Sequence, residues 1–188
     1  AINWDNKVLM FLNLVFMVYV FYKVWTLGIT VSFYSSNSSL DLKKYKSVLK
    51  IYLLDLDSEM ASVLTAIGKN PSIRSLYLIK SFQGVKLKHI PTIMDALVNL
   101  IQKDDFMLTE LYLSENKLKT DIHNFINALG SNQHLQVLDI TGNLMGDIGA
   151  RLLAKALQIN NKLKTIIMDR NMITLQGYSD IVYALENN

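Results

Sequence analysis

An α/β solenoid is the fold this sequence predicts, with a parallel sheet inside and helices outside. Two observations predict it. A short apolar segment recurs three times without gaps, its starts at Leu108, Leu135 and Leu163 lying 27 and 28 residues apart. The segment after each copy carries a helical pattern, and Ala128-Leu129, Ala156-Leu157 and Ala184-Leu185 recur in it at 28 residues. Composition agrees. The 188 residues are 51% hydrophobic and 19% charged, too apolar for a disordered chain.

The three copies read Leu108-x-x-Leu111-x-Leu113-x-x-Asn116-x-Leu118, Leu135-x-x-Leu138-x-Ile140-x-x-Asn143-x-Met145 and Leu163-x-x-Ile166-x-Met168-x-x-Asn171-x-Ile173. This is the leucine-rich repeat pattern. Leucines at the first, fourth and sixth positions put alternate side chains of a short strand inward. The asparagine turns the chain, and its amide can bond the backbone of the turn and of the next unit. Units of 27–28 residues leave room for a full helix, so the expected solenoid is ribonuclease-inhibitor-like. Neighbouring units bury one another's faces.

Element by element, strands are expected near 110–114, 137–141 and 165–169, with weaker ones near 49–53 and 75–79, and a helix after each. The first weak copy places Leu49, Ile51 and Leu56 on the repeat positions, with Leu54 in the asparagine place. The second, Ile73-x-x-Leu76-x-Leu78, has Ser81 there, and its unit runs 35 residues to Leu108, about one or two helical turns longer than the others. After the second strong strand, Ile148, Leu152, Leu153, Ala156 and Leu157 share an apolar helix face, with Asp147 as N-cap. Residues 46–188 thus form one domain of about five units, the first two degenerate. Glu186-Asn187-Asn188 matches the helix end Gln158-Ile159-Asn160 one unit earlier, so the expectation is that the solenoid continues.

Residues 1–45 form an apolar head. Val8–Tyr34 holds a single charge, Lys23. A membrane helix over about residues 8–30 is one reading. Lys23 would cost about 2.5–3.5 kcal/mol, outweighed by the fifteen Leu, Ile, Phe and Val residues between Val8 and Phe33 at up to about 0.6 each. Lys43, Lys44, Lys46 and Lys50 would then keep the repeats in the cytosol. A second reading takes the Val, Phe, Tyr and Thr content as strand-forming. A third takes residues 1–45 as a gene-model artefact, such as translated intron.

A more specific likeness lies in the repeats. Leu118-Lys-Thr, Ile126-Asn-Ala-Leu-Gly-Ser-Asn132, Asp139-Ile-Thr-Gly-Asn143, Met145-Gly-Asp-Ile-Gly-Ala150, Leu153-Ala-Lys-Ala-Leu-Gln-Ile-Asn160 and Lys162-Leu-Lys-Thr165 closely resemble the CARMIL family, the capping-protein, Arp-complex and myosin I linkers. The resemblance covers roughly residues 56–188, the long unit included. It implies a large cytosolic scaffold of the actin cytoskeleton and the plasma-membrane periphery. Such a scaffold combines a pleckstrin-homology-like domain, a repeat solenoid, a helical dimerisation region and a disordered tail that binds the barbed-end capping heterodimer. No motif of that tail is present here. Residues 1–45 depart from the family, which carries further repeats there and no membrane span.

Composition narrows the chemistry. With no cysteine, thiol catalysis, disulfide staples and Cys-based metal sites are excluded. A net charge of +3 does not point to nucleic acid. His89, His123 and His134 show no metal-ligand spacing, and Ser114, Ser131 and Ser179 lack a nucleophile-elbow context. No catalytic residue, cofactor or metal is expected. Asn116, Asn143 and Asn171 are read as structural turn-formers, and Met145 and Met168 as core. The candidate binding surface is the strip of inner-face positions between the core leucines: Glu110, Tyr112, Ser114, Val137, Asp139, Thr141, Thr165, Ile167 and Asp169. The expected role is non-enzymatic protein binding within an actin regulator. The alternatives are a membrane-tethered repeat protein and a GTPase-activating-type solenoid.

Overall fold

The computed structural model describes residues 30–33, 50–53, 56–69, 73–103 and 107–188, the first two segments as backbone only. Six short strands follow one another in chain order across a single sheet: β1 (Thr30–Phe33), β2 (Lys50–Leu53), β3 (Ser75–Tyr77), β4 (Glu110–Tyr112), β5 (Val137–Asp139) and β6 (Thr165–Ile167). Every pairing is parallel. The five expected strands are present; β3 to β6 each occupy the start of their expected range, and β2 fills all but the first residue of its own. β1 lies inside the apolar head, so the sheet reaches further toward the N-terminus than a boundary at residue 45 allows. Thr-Val-Ser-Phe is strand-forming, and its backbone pairs with β2 in full register, Thr30 with Lys50 through Phe33 with Leu53. Among the described residues no helix is long and apolar enough to cross a membrane; residues 8–29 of the candidate span lie outside them.

The helices are α1 (Met60–Ile67), α2 (Ile90–Ile101), α3 (His123–Ala128), α4 (Gly146–Leu157) and α5 (Leu175–Glu186). α3 is short because 3-10 turns flank it at Lys119–Ile122 and Leu129–Ser131. In α4, Ala150, Leu153, Ala154 and Leu157 are buried at helical spacing. Ile148 is not part of that face; it is exposed on the outer side. The extra length of the 35-residue unit does not lengthen its helix, since α2 has the same 12 residues as α4. It lies between β3 and α2, in a turn-rich loop pinned by buried Phe82, a Gly84 at φ 101° and a 3-10 turn at Leu87–His89.

The core runs in rows across the units. Leu76, Leu111 and Leu138 occupy one register and are all 0% exposed. Leu78, Leu113 and Ile140 form the next row, and Ile73, Leu108 and Leu135 the row before it, all buried. Each such side chain contributes roughly 1.5–3 kcal/mol through burial.

Between strand and helix the chain must reverse within a few residues, and the asparagines make that possible. Asn116 Nδ2 donates to Leu113 O of its own turn at 2.8 Å and to Leu78 O of the preceding unit at 2.6 Å. Its Oδ1 accepts from the Phe82 N–H at 3.1 Å. Asn143 repeats the donor bonds onto Ile140 O and Leu113 O, each at 2.9 Å. Asn171 repeats them onto Met168 O and Ile140 O and accepts from the Asn143 N–H at 3.2 Å. The amides therefore stitch each unit to the one before it, not the one after. In each of the three strong turns the residues on either side of the asparagine are left-handed: Glu115 and Lys117, Gly142 and Leu144, Arg170 and Met172. For a residue with a Cβ that conformation costs about 1–2 kcal/mol, offset here by the amide bonds.

A second asparagine ladder closes the opposite end of the units. Asn132 Nδ2 donates to Ile101 O, and its Oδ1 accepts from the Leu135 N–H. Asn160 Nδ2 donates to Leu129 O and Asn132 O, and Asn188 Nδ2 donates to Leu157 O and Asn160 O. Asp147 sits in the first turn of α4 rather than at its N-cap. Its carboxylate accepts from the Thr174 N–H at 2.8 Å and the Thr174 hydroxyl at 2.6 Å, tying α4 to the start of α5.

Candidate functional site

The parallel pairing carries every inner-face residue into register with its counterparts. One row reads Ser75, Glu110, Val137 and Thr165; the next reads Tyr77, Tyr112, Asp139 and Ile167. Lys50 and Tyr52 occupy the same two register positions on β2.

The tyrosines of the second row stack. The Tyr77 and Tyr112 rings are 4.4 Å apart between centroids and 4° from parallel. That separation is close to the roughly 4.8 Å between adjacent strands, so the rings stand side by side with their faces turned across the sheet. Glu110 lies at the foot of the pair. Its Oε2 accepts from the Ser75 hydroxyl at 2.8 Å and the Tyr112 hydroxyl at 3.4 Å. Burial pushes the Tyr112 phenol up to about 12, with the Glu110 charge adding to the effect. Tyr112 is thus a hydrogen-bond donor throughout the neutral range.

The predicted strip divides under this geometry. Glu110, Tyr112, Val137 and Asp139 are half-buried; Thr165, Ile167 and Asp169 are exposed. Ser114 and Thr141, at 6% and 8% exposure, are instead buried among neighbouring turns and offer no inner-face contact. The reason is positional. They follow the sixth-position core residue, where the chain already bends away from the strand, and the Ser114 and Thr141 carbonyls accept from Lys80 and Glu115 N–H groups of the preceding units; Asp169 holds the same repeat position and its carbonyl accepts from the Gly142 N–H, but its side chain is exposed. Asp139 Oδ1 accepts from the Thr141 N–H at 2.9 Å, which fixes its carboxylate beside the sheet.

A contact between side chains at one repeat position joins units that are not neighbours. The positions preceding the three asparagines are Glu115, Gly142 and Arg170. Glu115 Oε1 reaches Arg170 Nη2 at 2.6 Å, bridging two units by passing over the third. A Cβ at position 142 would lie 2.5 Å from that same oxygen, and the backbone there has φ 68°. Glu115 and Arg170 take the same left-handed backbone at the cost of a strained Cβ, and glycine at 142 avoids that cost and leaves the space that the Glu115 carboxylate occupies. The register of Glu, Gly and Arg at one repeat position was the available signal.

The side chains of two of the three histidines have local partners. His89 Nδ1 is 2.9 Å from Asp57 Oδ1, and His123 Nε2 is 3.2 Å from Met145 O. The Asp57 carboxyl is held below the usual carboxylate range by its bonds from His89 and the Lys86 N–H. Among the described residues no group of three or more His, Asp and Glu is placed to hold a metal ion.

Sequential parallel strands, buried leucine rows and an asparagine ladder together define a leucine-rich repeat protein. The leucine rich repeat family model matches residues 131–154. The chain is 46% identical over 132 residues to human (Homo sapiens) capping protein, Arp2/3 and myosin-I linker protein 3, covering 70% of this chain and 10% of the relative. It is 36% identical over 123 residues to Protein CARMIL of Dictyostelium discoideum, covering 63% and 12%. A more distant relative, the Rho GTPase-activating protein gacW of Dictyostelium discoideum, is 29% identical over 152 residues, covering 76% and 14%. The resemblance in the repeats is borne out: the chain belongs with the CARMIL family. It spans about a tenth of the length of the CARMIL relatives it matches.

Proposed function

We propose that this chain is a non-enzymatic protein-interaction scaffold, the ribonuclease-inhibitor-like repeat part of an actin regulator that acts on barbed-end capping protein and actin filament organisation. The observation that carries the reading is the 46% identity to a relative named as a linker of capping protein, Arp2/3 and myosin I. The inner strip is the face assigned to binding. Its upright aromatic pair and its carboxylates offer shape and charge to a partner protein rather than a nucleophile and base. The place of action is the cytoplasmic actin network at the plasma-membrane periphery.

Two measurements test this. In a pyrene-actin elongation assay with capped seeds, an excess of the full chain should leave the ends capped, because capping regulation in the resembled family belongs to a flexible tail; resumed elongation would put that activity in the repeats. In cells, the tagged chain should enrich at actin-rich edges, and joint substitution Tyr112→Ser and Asp139→Asn should release it. Undiminished enrichment would move binding to another face. A second reading, a GTPase-activating solenoid, is favoured by the name of the gacW relative alone. Faster single-turnover GTP hydrolysis by a Rho-type GTPase on adding the chain would support it.

A further inference from the structure

Tyr112, Asp139 and Ile167 are consecutive in one inner row, on adjacent strands. The stacked geometry with Tyr77 leaves the other face of the Tyr112 ring turned toward β5. On β5 the residue is an aspartate, much shorter than a tyrosine, and on β6 it is an isoleucine that is 40% exposed. The row therefore drops from an aromatic wall to a carboxylate floor and rises again to an aliphatic wall. The walls are two strand spacings apart, about 9.6 Å between backbones.

Charge singles out what fits. Glu110 and Asp139 lie on the inner face of adjacent strands, displaced by two residues, and Asp169, exposed on the turn two residues past Ile167 at the end of β6, continues their diagonal beyond the sheet. Among the described residues none of the three has a salt-bridge partner, whereas Glu115 and Asp57 do. Asp139 uses Oδ1 on the Thr141 N–H, leaving Oδ2 for a ligand. The step along the diagonal is about 8 Å, from one strand spacing and two residues of rise, within reach of alternate side chains of an extended peptide about 7 Å apart.

We infer that the inner face binds a basic segment of a partner protein, with an arginine guanidinium stacked on the free face of Tyr112 and paired with Asp139, and with further cations at Glu110 and Asp169. This deepens the scaffold reading and rests on it. Arginine is favoured over lysine because the slot is bounded by a ring face, and a planar cation stacks on it while pairing through its edge. The chain's own Arg170, beside Asp169, is held by Glu115 and so leaves the diagonal open.

The test is fluorescence anisotropy with the full chain and three labelled peptides of one length: one with lysine, arginine and lysine in that order at alternate positions among alanines, one with lysine at all three, and one with glutamate at all three. Asp139→Asn is the decisive variant, because it keeps the acceptor for the Thr141 N–H and so preserves the fold. The arginine peptide should bind, and both Asp139→Asn and the all-lysine peptide should weaken binding by about tenfold, with further loss as salt rises. Equal binding by Asp139→Asn or by the all-lysine peptide would overturn the arginine slot. Binding of the glutamate peptide, lost with Tyr112→Ser, would overturn the basic partner while leaving the inner face as the binding surface. Failure of all three peptides would overturn the inference, and the edge-enrichment assay would still judge the scaffold reading separately.

Discussion

Replacing Asn116 by alanine tests the most economical element of the fold. Asn116 is 7% exposed and makes three bonds, at 2.6 Å to Leu78 O, 2.8 Å to Leu113 O and 3.1 Å from the Phe82 N–H. Two of these cross to the preceding long unit, whose own turn has Ser81 in the asparagine place. Alanine removes all three partners at once and leaves the backbone groups inside. With about 1 kcal/mol net for each bond, and more where a group is left dry, the loss should be about 3–6 kcal/mol. At roughly 2–4 °C per kcal/mol for a protein of this size, even the lower figure lowers the midpoint by about 6–12 °C. Asn116→Asp should fare no better. It keeps an acceptor for Phe82, but a carboxylate would replace the donor facing two carbonyls. Thermal unfolding followed by far-ultraviolet circular dichroism reads the effect, with exposed Lys80→Ala as the control. A midpoint for Asn116→Ala within about 2 °C of the parent would mean that the ladder does not hold the units together.

Leu138→Ala should cost about 2–5 kcal/mol in urea unfolding, since the side chain is 0% exposed and flanked in register by Leu111 and Ile166; an unchanged midpoint would show the strand face assigned wrongly. Thr174 holds the Asp147 carboxyl below its usual range through two hydrogen bonds. A depressed carboxylate stabilises the folded state above its unfolded pKa and loses that contribution as pH falls through the folded one. The α4–α5 junction should therefore loosen on acidification below about pH 4, and Asp147→Asn should flatten that dependence; carboxyl titration by NMR checks the direction.

Much of this protein was legible from its sequence because a repeat states each structural demand several times. Leucines at fixed offsets name the buried rows, and Asn116, Asn143 and Asn171 name the turns. The spacing also had a second signal to offer, Asn132, Asn160 and Asn188 at 28 residues, although their bonding partners lie a whole unit away. Tertiary structure alone decided which groups those amides reach, since a side chain that can bond either neighbour carries no sign of the direction. It decided that Ser114 and Thr141 turn inside while Asp139 stays open, because the strand ends two residues earlier than the alternation suggests. It placed the extra residues of the long unit in a loop, where Phe82 finds burial that another helical turn would not have given it. It brought Thr30–Phe33 into the sheet, a pairing that depends on a strand twenty residues later. And it set Tyr112 between Tyr77 and Asp139: local pattern reports which side of a strand a residue faces, but its neighbours across a parallel sheet are fixed only when crossovers of unequal length bring the strands into register.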